Sequence, residues 1–490
     1  MDKKSVYSSA EPAPIAILGV PFDNVSTEQT ISLIQRMIAS GRPHYLATAN
    51  VDFLVQASQD VELRRILFDA HLVLCDGTPL VWASKLLGNP LPERVAGSDL
   101  VPLLLKVAAE KGYRPFFLGS TPSVAEQAAA KLKERFPTLN VAGFYAPPFN
   151  KLLDMDHDEI SRRIADAKPD MLFVGFGCPK QEKWIAMHYR TLGVPVAVGV
   201  GATIDFLAGK VARAPRWMQK TGTEWIFRLL QEPRRLFRRY FVGLWHFSGA
   251  ILKQYAYLRS RRRHKAVPPP VPVIDKTSWK LIEAPKRLDI ESVHREKSVW
   301  EEALASHPHC FLNLNQVEFI DSTGVGLLIR LQKQARQSNQ QFVLLGVSDV
   351  VQRALSMMRL QDFFISVPDI AAAERLVSDH GTAQAVAVKN SSFAARPALF
   401  WQGEVTAANA DAVWENTKSH IISSGTAQGE LVVDLSALRF IDSTGLSLMI
   451  RARKFALQQG ITVRFVAIQP AVLNVLRLAR LEDYLLSAKS

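Results

Sequence analysis

DMLFVGFGCPKQEKWIAMHYRTLGVPVAVGV, residues 170–200, holds two short apolar runs that end in glycines, with a polar stretch opened by Pro179 between them. Proline is common at the first helical position, because the N–H it lacks has no partner there anyway. The segment reads as strand, helix, strand. Outward from it, IAILGV (15–20), HYLATAN (44–50), HLVLCDG (71–77) and RPFFLGS (114–120) are further apolar runs that stop at small or turn-forming residues. Helical stretches Thr27–Ser40, Ser123–Phe136 and Asp158–Lys168 lie between the runs. Alternation of this kind predicts an α/β, Rossmann-like domain with a largely parallel sheet over residues 12–245. Ligands of such domains bind beyond the carboxyl ends of the strands, so the polar residues that follow each run are the first candidates.

Asp76 ends HLVLC and precedes Gly77. A carboxylate there can take the proton of an attacking hydroxyl, and a glycine lets a substrate approach the backbone. The competing reading is a turn-forming Asp-Gly that caps the next helix. Thr48 and Asn50 end the preceding strand and suit sugar hydroxyls, although loop polarity alone would place such residues there. In GFGCPKQEKW (175–184) the exposed amides of a helix start, with Lys180 and Gln181, suit a phosphate or a uracil edge. Gly199-Val200-Gly201-Ala202 is glycine-rich but lacks the full dinucleotide fingerprint, so no nicotinamide cofactor is expected. Arg228, Arg235 and Arg238, in WIFRLLQEPRRLFRRYF (225–241), are spaced to share one helical side unless Pro233 kinks the path. Arginines in that pattern answer a departing diphosphate with paired hydrogen bonds, or form a cationic helix on a membrane surface.

The chain of 490 residues is too long for one core and carries a net charge of +13. Residues 228–265 hold nine Arg and two Lys against one Glu, so most of the excess sits in one segment. Aromatic and aliphatic residues from Tyr240 to Leu258 precede RSRRRHK (259–265), a combination suited to an anionic membrane interface. Packing of this stretch on its own domain is the alternative; no nucleic-acid recognition module accompanies the charge. Cys75, Cys178 and Cys310 form no CxxC pair and no zinc spacing, which predicts reduced thiols, no structural metal and a reducing compartment. Neither a secretory signal nor a run of about 20 apolar residues is present, so a cytoplasmic protein at the inner face of the membrane is expected.

VPPPVPV (267–273) is a proline-rich linker. Together with the basic stretch it fills residues 246–277. The rest is an internal repeat: FIDSTGVGLLIR (319–330) and FIDSTGLSLMIR (440–451) agree at nine of twelve positions. Two small domains follow from it, over 278–379 and 396–490, each with an apolar strand running into Asp-Ser-Thr-Gly and then a helix. Ser322 and Ser443 stand at the helix starts, where a hydroxyl can cap free amides and a phosphate would be stabilised by the same amides.

PERVAGSDL (92–100), GFGCPKQEKW, VGATIDFLAGKVARAPRW (200–217) and TEWIFRLLQEPRR (223–235) together resemble the WecG/TagA/CpsF glycosyltransferases over about residues 15–245. The resemblance implies an inverting, metal-independent transferase with no cofactor. Its donor would be a UDP-sugar, often UDP-N-acetylmannosamine, with UDP-glucose or another UDP-hexose left open. The acceptor would be a sugar linked to undecaprenyl diphosphate, in surface polysaccharide or teichoic-acid-type synthesis. It assigns Asp76 as the base, Thr48 and Gln181 as polar site residues with Asn50 beside them, and Arg228, Arg235 and Arg238 as arginines that close over the diphosphate. The repeats look like STAS domains, the fold of anti-sigma-factor antagonists, whose Asp-Ser-(Ser/Thr)-Gly loop carries the phosphorylated serine. That implies regulation through Ser322 and Ser443 by an anti-sigma-type serine kinase or another STAS-binding protein. A non-catalytic STAS signalling scaffold remains the alternative, and self-association of the chain is left open.

Overall fold

The computed structural model describes residues 12–210, 214–215, 218, 224–231, 233–259, 273–275, 279–338, 340–380, 398–424, 430–479 and 481–486. In the first domain the strands are β1 (Ile15–Ile17), β2 (Val20–Phe22), β3 (His44–Ala49), β4 (Leu72–Cys75), β5 (Pro115–Gly119), β6 (Gly143–Tyr145), β7 (Met171–Gly175) and β8 (Val196–Gly199). Six of them form one parallel sheet in the order β4-β3-β8-β7-β5-β6. The inner strands are apolar without alternation because helices cover both faces. One face packs Phe53, Leu54, Leu80, Trp184 and Phe247, and the other packs Ile34, Leu100, Val124 and Ile204. The first helix, Thr27–Ser40, shows the local logic. Ser26 and Gln29 form a reciprocal capping box, Leu33, Ile34 and Met37 make the buried stripe, and Gly41 ends the helix at φ 65°.

IAILGV does not join this sheet. Its residues form the β1–β2 antiparallel hairpin, because Leu18 and Gly19 both adopt left-handed backbone (φ 49° and 84°), the two-residue turn that matches strand twist. Edge strand β6 carries no long apolar run and was not legible in the sequence. A further difference concerns the basic region. One helix runs from Pro233 to Arg259 across the expected boundary at residue 245. Pro233 is its first residue, so it starts a helix and kinks none. Phe247 and Ile251, one turn apart, are buried in the first domain's core. Residues 260–272, with most of RSRRRHK and the proline-rich linker, lie outside the described residues.

Each repeat is a small α/β unit. The first has parallel strands Trp279–Glu283, His309–Asn313, Gln341–Leu345 and Ile365–Val367, with Val273–Asp275 antiparallel at the edge. The second has Ala398–Phe400, Glu430–Asp434 and Thr462–Val466, all parallel. In both repeats the aspartate of Asp-Ser-Thr-Gly performs the capping that the sequence suggested for the serine. Asp321 accepts from the Thr323 and Gly324 amides at 2.8 and 3.0 Å, and Asp442 from the Thr444 and Gly445 amides at 2.9 and 3.0 Å.

The first repeat shares a core with the first domain. Ala13, Ala16 and Phe68 lie in one apolar cluster with Leu328, Leu331, Leu355 and Phe363. The Phe68 ring sits 4.8 Å from Phe363 and 6.0 Å from Phe364. Phe68→Ala is therefore expected to cost about 3–5 kcal/mol in urea denaturation of the full chain. A loss below about 1 kcal/mol would mean that the two units only touch.

Candidate active site

Neighbouring strands β3 and β8 send their chains to opposite faces of the sheet. After β3, helix Val51–Ala57 packs into the face that holds Trp184 and Phe247; after β8, helix Thr203–Leu207 packs into the face that holds Leu100 and Val124. Such a switch point opens a cleft at the strand ends.

Thr48, buried at the end of β3, donates its hydroxyl to the Gly199 carbonyl at 3.0 Å and so ties the two strands across the switch. Asn50 is the N-cap of the next helix: its Oδ1 accepts from the Asp52 and Phe53 amides at 3.0 and 3.3 Å. Its carbonyl oxygen is therefore committed to the backbone.

Asp76 follows β4, half-buried, with its amide donating to the Ala49 carbonyl at 2.9 Å. The cap of helix Thr78–Leu87 is Gly77, with no side-chain capping bond, so Asp76 does not serve as that helix's cap. The Asp76 carboxylate lies close enough to Arg94 to favour the guanidinium charge. Burial opposes that charge, but Asp76, Asp99 and Glu224 outweigh it and raise the Arg94 pKa. Arg94 pairs with Asp99 at 2.5 Å and with Glu224 at 2.9 Å. Arg94 thus anchors the start of helix Glu224–Gln231, which carries Arg228, to the Asp76 end of the sheet. Arg228 lies on that helix and Arg235 and Arg238 on helix Pro233–Arg259, but their side chains fall outside the described residues. Arg94 was missed in the sequence reading, although it stands in the PERVAGSDL segment; a lone arginine in a loop carries no pattern of its own.

Gln181 is buried and clamps two strand-end loops. Its Oε1 accepts from the Gly177 amide at 3.0 Å and the Gly201 amide at 3.1 Å, and its Nε2 donates to Glu182 at 2.7 Å. Lys180 points elsewhere: its ammonium donates to the Asn150 carbonyl at 2.5 Å and faces the Phe149 and Phe176 rings. Glu182 was also missed, because in sequence it reads as an ordinary first-turn acid. It is fully buried, and burial pushes its carboxyl up to about 7. The acid is protonated in both states below its unfolded value near 4.5. Between that value and about 7 the folded state holds the extra proton, so stability falls as pH rises through this window and levels off above it. The neutral Glu182→Gln is expected to be worth about 3 kcal/mol more at pH 8 than at pH 4.5, relative to the wild type. Thermal melts of both proteins between those pH values test this; parallel curves would remove the buried ionisation.

Among the described residues no group of three or more His, Cys, Asp or Glu is placed to hold a metal ion, and no helix is long and apolar enough to cross a membrane.

Residues 15–262 match the glycosyl transferase WecG/TagA/CpsF family, and residues 269–375 and 393–489 each match the STAS domain. An N-acetylglucosaminyldiphosphoundecaprenol N-acetyl-beta-D-mannosaminyltransferase of Staphylococcus aureus (strain MW2) is 31% identical over 252 residues, 51% of this chain and 97% of that protein. Solved structures similar to the repeats include the anti-sigma factor antagonist SpoIIAA in its unphosphorylated form, 18% identical over 22% of this chain and 97% of that one, TM-score 0.21. An anti-sigma-factor antagonist (STAS) domain protein from Planctomyces limnophilus is 20% identical over 22% and 97%, TM-score 0.21. With the parallel sheet and the doubled Asp-Ser-Thr-Gly unit in place, the chain belongs to the WecG/TagA/CpsF family of glycosyltransferases and carries two STAS domains behind its transferase domain.

Proposed function

We propose that this enzyme is an inverting transferase that moves N-acetylmannosamine from its UDP donor to N-acetylglucosamine on undecaprenyl diphosphate, in synthesis of a teichoic-acid-type or other surface polysaccharide. The observation that carries the reading is Asp76 at the carboxyl end of β4, half-buried, beside the arginine that anchors the Arg228 helix. In the reaction the acceptor hydroxyl attacks the anomeric carbon, Asp76 takes its proton, and the bond to the UDP oxygen breaks. Arg228, Arg235 and Arg238 meet the charge that develops on the leaving diphosphate, so no metal or cofactor is needed. Thr48 and Gln181 act by holding the strand ends in register, and Asn50 by setting the helix that borders Gly77.

The acceptor's lipid supports a membrane-surface location on the cytoplasmic side. Trp82 and Leu86, one turn apart on helix Thr78–Leu87, are exposed, as are Trp245 and Leu252 two turns apart on helix Pro233–Arg259, which packs against it. Apolar side chains left in water next to a basic segment suit a headgroup boundary. The STAS units supply regulation through the Ser322 and Ser443 loops, with a serine kinase as one class of partner.

The test is UDP release by the full chain from UDP-N-acetylmannosamine, with and without a lipid-diphosphate-N-acetylglucosamine acceptor. Acceptor-dependent release supports the reading. Turnover only with UDP-glucose or another UDP-hexose would replace the donor, and silence with every donor and acceptor would replace the enzyme by a scaffold.

A further inference from the structure

The two STAS units meet the transferase domain through the same Asp-Ser-Thr-Gly surface but with different chemistry. In the first unit Ser322 is fully buried, and its hydroxyl accepts from Gln254 Nε2 at 2.8 Å. The same Nε2 donates to the Ala16 carbonyl at 3.0 Å, and Gln254 Oε1 accepts from the Leu18 amide at 3.1 Å. The Ser322 contact itself is neutral; around it the first unit shares the apolar core of Phe68 with the transferase and adds one ion pair, Arg336 to Asp69 at 3.0 Å.

The second unit keeps its own core, against which Leu153 is the one apolar residue packed from the described part of the transferase. Its contact is ionic. The Ser443 amide, the first of helix Ser443–Gln458, donates to Glu62 Oε1 at 2.5 Å. The other Glu62 oxygen pairs with Lys183 at 2.8 Å, and Lys183 pairs with Asp60 at 2.7 Å. Beside this, Arg65 pairs with Glu404 and lies 4.3 Å over the Phe440 ring. Asp442 already occupies the next two amides of the helix, and burial together with the charge of Glu62 lifts its carboxyl to about 6. Lys183 stands two residues after Gln181, on the helix that clamps the site loops.

We infer that the transferase domain is itself the ligand of the second STAS unit, with Glu62 as the carboxylate seated at the Ser443 helix start, and that a negative charge on Ser443 releases this unit while leaving the first one docked. A helix start favours one anion, and the Ser443 surface already faces two carboxylates. A third, with Lys183 shared between Asp60 and Glu62, would be buried without a partner. Any protein that reads the Ser443 loop competes with Glu62 for it. The Glu62–Lys183 pair lies within the transferase domain, and helix Lys180–His188 itself packs against helix Ser443–Gln458, so release uncovers the helix of Gln181. The inference concerns docking and holds whatever sugar is transferred.

Hydrogen–deuterium exchange on the full chain tests it by following peptides that cover 440–446, 60–66, 180–188 and 322–337. The wild type should protect all four. Ser443→Glu and Glu62→Gln should each speed exchange in the first three by about tenfold or more, with 322–337 unchanged. Ser443→Ala keeps the amide and should behave as wild type. Wild type in about 1 M salt should lose protection at 440–446 before 322–337, because screening weakens the ion pairs and only the first unit keeps a shared apolar core when they weaken. The salt arm decides should the charged variant unfold. Wild-type protection in Ser443→Glu, or equal loss in Ser443→Ala, would overturn the inference, as would loss at 322–337 in step with 440–446 when salt is raised.

Discussion

Asp76→Asn is expected to lower acceptor-dependent UDP release by about 10²- to 10⁴-fold, the range over which a positioned base contributes to proton transfer. Asparagine has the same shape and cannot take the proton. The local fold should survive. The bond that positions residue 76 is its backbone amide to the Ala49 carbonyl, and the following helix takes no cap from the side chain. Arg94 keeps Asp99 and Glu224 as partners, so the start of the Arg228 helix stays anchored. The loss should fall on kcat with little change in KM for the donor, because the base acts only as the hydroxyl attacks. A variant within a few fold of the wild type would remove Asp76 as base and leave it as the turn residue of a strand end. A variant with raised KM and unchanged kcat would make it a binding group.

Gly199→Ala should be nearly as damaging by a different route. A methyl group on Gly199 would stand 2.7 Å from Gln181 Nε2 and 2.8 Å from Glu182 Oε1. Both side chains are buried, and Gln181 is held by the Gly177 and Gly201 amides, so neither can retreat without releasing a loop. Overpacking of this kind costs about 1–3 kcal/mol. Displacement of about 1 Å at the strand ends can lower activity about 100-fold. Melting and UDP release measured on one preparation separate the two effects. A variant with wild-type activity and stability would show that the clamp moves aside freely, and that Gln181 does not hold the site in shape.

The two effects have different visibility in the sequence. The position of Asp76 was legible because an acid after an apolar run and before glycine is a local pattern, and the strand's ending puts it at the ligand edge; its role as base came from the family resemblance. The role of Gly199 was not legible. Its close neighbours, Gln181 and Glu182, come from another strand–helix unit, and the lack of space is a property of their packing.

The same division runs through the whole chain. The α/β alternation, the helix Thr27–Ser40 and the doubled Asp-Ser-Thr-Gly unit can be read along the chain, because strand runs, caps and repeats are set by residues close together in it. That Ile15–Phe22 turns back as a hairpin, and that Phe68 belongs to the core of the first repeat, follows from packing between remote segments. The same packing lets Arg94 join Asp99 to Glu224, and Glu62 bridge Lys183 and the Ser443 amide. In each case the partner is remote in the chain or the conformation is held by remote packing. Burial then changes what a side chain does. Glu62 and Glu182 look like solvated helix acids in the sequence, and become an inter-domain ligand and a carboxyl titrating near 7 once the fold has removed their water.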